Sequence, residues 1–327
     1  MKTNMKKRIK AIWNVTRPVI VVVAFYLLFK NVEIDGLWDS FFLIQWWTVV
    51  FFLICALNAI FFQGLRWWVL IRAFTDKLTF LRSLSIHFSS TFYSLILPNS
   101  TVQEVVRTVY ATKTTGYVIG WSSAWISKIM GIVISFSFSA LGLLLLPDLA
   151  IPSIVFKIVF ILFFLMCIAI VLSFTKKVSR PVRMLLLDYF PKNSFNWLEK
   201  LREGIYRFKD KKQMLFLSFM ITVGSQMFLL GGVSLLLLGI TGHAYFKEVM
   251  AFIPLVEMIS MAQPFTPGGV GVRETLVAVM FRHLRLSNEQ LAMYVLLSNL
   301  SIFLKLIGAI PVLYGVIKKR KLNKNSC

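Results

Sequence analysis

The chain has 327 residues, of which 57% are hydrophobic and only 15% charged, with a mean hydropathy of +0.75. So few charges cannot coat the surface of a soluble core this long, and several runs exceed the roughly 20 apolar residues that cross a bilayer, which excludes a water-soluble domain. The net charge of +22 does not point to nucleic acid: Lys and Arg collect in short segments between apolar runs, and no loop carries a basic-aromatic binding module.

In chain order, Lys6, Lys7 and Arg8 precede a first apolar segment at 11–30. No small-residue cleavage site follows it, so it reads as an uncleaved first helix with Arg17 snorkelling to the interface. Glu33, Asp35 and Asp39 follow without a base after Lys30, which places that loop outside. A second segment, 41–65, returns to Arg66, Arg72, Lys77 and Arg82, read as cytoplasmic. Further apolar segments cover 83–97, 118–146, 151–174, 214–240, 249–265, 270–281 and 291–317. Between the fifth and sixth of the nine, 176–212 holds eleven Lys and Arg against four acids, a basic cytoplasmic loop. The tail at 318–327 opens Lys318-Lys319-Arg320-Lys321 and is cytoplasmic by the same rule. Lys157 reads as a snorkelling residue near the outer interface. Trp46, Trp47, Trp67, Trp68 and Trp197 read as interface anchors, and Arg66-Trp67 as a pair able to steady a headgroup.

These anchors constrain the remaining pieces. Residues 82 and 117 must lie on one side, so 83–116 returns to the side it leaves, and 243–290 does the same on the other. Each stretch contains a break, at Leu97-Pro98-Asn99-Ser100-Thr101 and at Gln263-Pro264-Phe265-Thr266-Pro267-Gly268-Gly269, where proline and glycine interrupt helix. The expected fold is all-α: one polytopic domain over 1–327, with about six full spans and two oppositely oriented re-entrant hairpins. Two tilted spans in each stretch, giving about eight or more, satisfy the same charge pattern. Broken helices at membrane depth need a protein-lined or polar cavity around them.

The tips carry the chemistry. Thr101-Val102-Gln103-Glu104 fits a capping box that starts one half-helix, and Thr266-Pro267 fits an N-cap and first-turn proline that start the other. Gly268, Gly269 and Gly271 allow close backbone approach. Arg107, Lys128, Arg273 and Lys305 outnumber Glu104, Glu257 and Glu274 by one, and helix N-termini add positive potential. Such a set favours a phosphate, with Arg suited to bidentate contact. The alternative is that all seven form internal salt bridges holding helices together. His87 shares a polar stretch with Ser83, Ser85, Ser89, Ser90, Thr91 and Ser94, and is either a proton relay or a hydrogen-bonded bystander. The three histidines (His87, His243, His283) and three cysteines (Cys55, Cys167, Cys327) have neither metal-ligand nor nucleophile-base spacing. No metal, no cofactor and no catalytic residue is expected.

Pro267-Gly268-Gly269-Val270-Gly271-Val272-Arg273-Glu274 resembles the P-G-G-[IV]-G-[VL]-R-E signature of the lysylphosphatidylglycerol synthase transmembrane-region family of flippase-like membrane proteins. Arg66-Trp67, Leu97-Pro98 and Val106-Arg107 resemble that family's earlier elements in the same order, over about 10–317. Two places depart from the pattern. Asn99-Ser100-Thr101-Val102-Gln103-Glu104 stands where the family usually has a glycine-rich turn and an acid, so Glu104 takes the acid's place. Lys128 stands near a usual acid–arginine pair. The resemblance implies movement of an anionic phospholipid or polyprenyl-phosphate-linked lipid across a bacterial or archaeal cell (inner) membrane, with both termini cytoplasmic. The alternative is a non-transporting partner that presents the lipid to a glycosyltransferase or lipid-synthesis enzyme. The full synthase carries a soluble catalytic domain, absent from this sequence, so lysyl transfer is not expected of it.

Overall fold

The computed structural model describes residues 22–23, 25–26, 29–30, 32–96, 101–146, 160–161, 164, 168, 192–262, 266 and 270–314. The expected segment at 151–174, most of 11–30, both tip sequences apart from Thr101 and Thr266, and the tail at 318–327 lie outside them. So do Gly268, Gly269, Lys157, Cys167 and Cys327.

All regular structure among the described residues is helical: α1 Ile34–Leu43, α2 Trp46–Arg72, α3 Phe80–Ile96, α4 Thr101–Thr115, α5 Tyr117–Leu144, α6 Lys192–Arg207, α7 Lys212–Thr241, α8 Phe246–Ala262 and α9 Val272–Met280. The last, α10, runs Asn288–Tyr314. It is built from an α-helix to Asn299, a second from Ser301 to Lys305, a 3-10 turn over Leu306–Gly308 and a final helical stretch. Four of these helices, α2, α5, α7 and α10, are long and apolar enough to cross a membrane, and the protein is a multi-pass membrane protein.

Local chemistry sets the ends. Gly242 adopts a left-handed φ of 79° and its N–H closes on Leu238 O at 2.9 Å, stopping α7. Ser287 and Gln290 cap α10 reciprocally, at 3.1 and 3.2 Å. Gly116, at φ 85°, turns the chain between α4 and α5 where an L side chain would be strained.

The spans pack through small residues, as helices do where lipid removes the hydrophobic drive to associate. α2 and α7 run antiparallel: Ser225 Oγ donates to Ala59 O at 3.1 Å, Gly232 faces Cys55, and Gly239 faces Thr48. α8 lies antiparallel along α5. Ser139 Oγ donates to Ala251 O at 2.6 Å, Gly142 sits against the Ala251 backbone, and eleven residues back along α5 Lys128 meets Met261.

Two layers of ends result. At the α6 end, Leu70 and Ala73 of α2, Ile126 of α5, Leu201 and Ile205 of α6, and Phe208 form one cluster. Leu78, ahead of α3, and Ala111, late in α4, pack there on Trp67 and Ile71. The α3–α4 stretch thus starts and finishes at the same end of α2. At the α1 end, Ile44, Leu143, Leu237, Val249, Phe281, Leu284, Met293 and Tyr294 share a core, so the α8–α9 stretch also returns to its own end. α3, α4 and α8, of 17, 15 and 17 residues, are about 22–25 Å long, shorter than a hydrocarbon core of about 30 Å.

Two segments read as loops are partly helical. The acidic stretch after the first apolar segment forms α1, which buries no residue, exposes Ile34, Trp38 and Phe42, and carries Leu37 and Phe41 against the core. The described half of the basic 176–212 loop forms α6. Its Gly204 lies close to Val118 and Ser122 on α5.

Candidate functional site

The first charged group forms where α2, α3, α4 and α5 meet. Arg66, expected in a cytoplasmic loop, is instead inside α2, six residues before its end and 7% exposed. Its Nε donates to Ser127 Oγ at 3.0 Å and its Nη1 to Thr222 Oγ1 at 3.5 Å, so one guanidinium ties α2 to α5 and α7. Neighbouring Trp67, expected as an interface anchor, is 0% exposed. The Arg107 guanidinium lies over its ring, 4.8 Å from the centroid. The helix outlasts the apolar run because hydroxyls on α5 and α7 take up the Arg66 guanidinium and the Arg107 guanidinium of α4 covers the Trp67 ring.

Arg107, 1% exposed, is ion-paired to Glu104 one turn earlier. Its Nη1 stands 3.4 Å from His87 Nδ1, which can only accept from a guanidinium. His87 fits because position 64 on α2 is glycine: a Cβ there would sit 3.0 Å from the imidazole. Lys128 is within coulombic range of Glu104, Arg107 and Arg66, and its Nζ lies 3.5 Å from Met261 Sδ at the inner end of α8.

The second group forms where α8, α9 and α10 meet. Arg273 Nε pairs with Glu257 Oε1 at 3.2 Å. Glu274 is buried and accepts from the Gly271 N–H. α9 therefore begins at Val272 with Gly271, φ 86°, as its N-cap. This corrects the expected start at Thr266-Pro267; Thr266 is a buried bend residue. Glycine at the cap and glutamate three residues on were the usable signal. Lys305 lies within coulombic range of Glu257 and Arg273.

A cavity of about 330 Å³ opens at this second group, lined by Leu95 near the end of α3, Val270, Arg273 and Glu274 at the start of α9, and Asn299 and Lys305 in the middle of α10. The inner ends of both broken stretches therefore border one space. Asn299 Nδ2 donates to Val295 O at 2.9 Å, and its Oδ1 is a buried acceptor without a partner among the described residues. The Tyr294 hydroxyl is likewise buried and, among the described residues, unpartnered. Neither residue was among the expected site residues. Asn299, between Ser298 and Ser301 inside an otherwise apolar run, was the visible hint.

The expected site residues thus divide. Arg66, Glu104, Arg107 and Lys128 form the first group; Glu257, Arg273, Glu274 and Lys305 form the second, of which Arg273, Glu274 and Lys305 line the cavity. Arg66 joins the interior, so five bases face three acids there rather than four facing three. No group of three or more metal-ligating side chains occurs among the described residues.

The family model for the lysylphosphatidylglycerol synthase TM region matches residues 14–308. That covers most of the chain and spans both charged groups, and the chain belongs to this family. No curated protein matches it.

Proposed function

We propose that this member of the lysylphosphatidylglycerol synthase transmembrane-region family binds the headgroup of an anionic lipid in the Arg273–Lys305 cavity and carries it across the bilayer. In this reading α3–α4 and α8–α9 are re-entrant hairpins that enter from opposite faces and meet near mid-depth. The observation that carries it is the cavity itself: two cations and the interrupted ends of two short helix pairs border one space of about 330 Å³. Ionisable side chains at membrane depth are costly and mark pathways. Arg273 supplies a planar fork for phosphate and Lys305 a mobile point charge. Glu257 pairs with Arg273 and competes with an anion for it. The unpaired Asn299 Oδ1 favours a headgroup that also bears a hydroxyl or amine donor, because a buried acceptor left unmatched is penalised. The acyl chains stay in lipid while the headgroup moves.

The test is transbilayer movement of headgroup-labelled anionic lipids in proteoliposomes. Arg273→Ala and Lys305→Ala should each slow it at least about tenfold, the loss of one charge-assisted contact. Rates equal to those of empty vesicles, for both phospholipids and polyprenyl-phosphate lipids, would remove the proposal.

The second reading, presentation of the lipid to a separate enzyme, draws on the exposed Lys209, Lys211 and Lys212 beside α6. These bases suit an acidic partner. Co-purification of a glycosyltransferase or lipid-modifying enzyme that is lost when the three lysines become glutamate favours it.

A further inference from the structure

The cavity leaves the first charged group without a task. Three cations, Arg66, Arg107 and Lys128, stand there; among the described side chains Glu104 is the carboxylate near them, ion-paired to Arg107 and within coulombic range of the other two. Among the described residues, Arg66 donates to the hydroxyls of Ser127 and Thr222 alone. The Lys128 ammonium faces Met261 Sδ, a weak acceptor. Two donors on the group are buried and have no acceptor among the described residues: Arg107 Nε and Trp67 Nε1, on side chains that are 1% and 0% exposed. Surplus buried positive charge with orphaned donors needs an anion that these side chains do not supply. The surroundings are tight. Arg66 Nη1 would lie 3.2 Å from a Cβ at position 131, and His87 3.0 Å from one at position 64, so α2, α3 and α5 pack closely around the group, which favours a compact ion over a tetrahedral headgroup.

We propose that the Arg66–Arg107–Lys128 group, with the orphaned Arg107 Nε and Trp67 Nε1 donors beside it, holds a compact halide-class anion as a resident counter-charge. The ion neutralises half of the surplus of two positive charges and fixes the junction of α2, α4 and α5, against which the α8 end rests through Met261. This role is independent of lipid movement: it needs neither the cavity nor a substrate.

The experiment is thermal unfolding of the full-length chain in phosphatidylcholine nanodiscs, in chloride, gluconate or phosphate at one ionic strength. Chloride should raise the midpoint over gluconate by about 3 °C or more, saturating with concentration, as a ligand bound only by the folded state must. Lys128→Met should lose that dependence while still melting cooperatively, and Lys128→Arg should keep it; Lys305→Met should keep it too. Equal wild-type midpoints in chloride and gluconate overturn the assignment, as does a full chloride shift in Lys128→Met. A shift seen only with phosphate and lost in Lys305→Met overturns it as well, since the anion then belongs to the cavity and the lipid reading stands alone.

Discussion

Replacing Glu257 by Gln separates binding from stability at the cavity. In the native chain Arg273 Nε and Glu257 Oε1 are 3.2 Å apart, with side chains 18% and 28% exposed. Unit charges about 4 Å apart attract by about 4 kcal/mol at an effective dielectric of 20, and partial hydration and the retained amide acceptor reduce the net loss to about 1.5 kcal/mol. Over 327 residues an unfolding entropy of about 2.1 cal/mol/K per residue gives about 0.7 kcal/mol per degree, so the midpoint should fall by about 2 °C. The same change removes a carboxylate that competes with any anion for Arg273. Affinity for an anionic short-chain lipid should therefore rise about tenfold, the equivalent of about 1.4 kcal/mol. Both quantities are measured on one preparation, by thermal melting and by equilibrium binding in phosphatidylcholine nanodiscs. A variant that melts lower and binds more weakly refutes the reasoning, because Glu257 would then be serving the ligand by orienting Arg273 rather than competing with it.

Two further outcomes are expected. In a background with Cys55, Cys167 and Cys327 replaced by serine, an impermeant maleimide should label Lys113→Cys and Lys209→Cys from one membrane face and Lys247→Cys and His283→Cys from the other; Ser100→Cys should resist labelling from both, whereas two full spans would put it on the Lys247 face. Gly142→Leu should destabilise the protein by about 1–3 kcal/mol through overpacking, since a Cβ there meets the Ala251 backbone rather than a movable side chain; Gly231→Leu, with nothing within 4 Å of its Cβ, should melt like wild type.

Hydropathy and charge made most of the helical plan legible. The segments read at 83–97, 118–146, 214–240 and 249–265 correspond to α3, α5, α7 and α8, with ends displaced by a few residues. Arg66 and Trp67 were misplaced for a definite reason. A sequence window sees an apolar run stop at Leu65, but not that Ser127 and Thr222, 61 and 156 residues away, supply hydroxyls to a buried guanidinium. α1 was hidden because Asp35 and Asp39 read as an outer loop, although Ile34, Trp38 and Phe42 recur at helical spacing. In the α8–α9 stretch, the proline after Thr266 suggests a helix start that Gly271 and Glu274 provide instead. The partition of the bases into two groups was not readable at all. Counting charges gives their sum, whereas which acid each base meets depends on how α8 and α10 lie against α5 and α3.

The winding of α10 also has a mechanical side. Directly after Lys305, Leu306–Gly308 follow a 3-10 path, and Gly308 is lodged against the Phe88 backbone of α3, where even a methyl group would overlap. Three residues wound this way rise about 1.5 Å farther and turn about 60° more than the same three in α geometry. With the Gly308 end pinned, relaxing that turn would act as a screw on everything N-terminal to it: the Lys305 ammonium and the Ser287-capped end would shift along the axis and swing together.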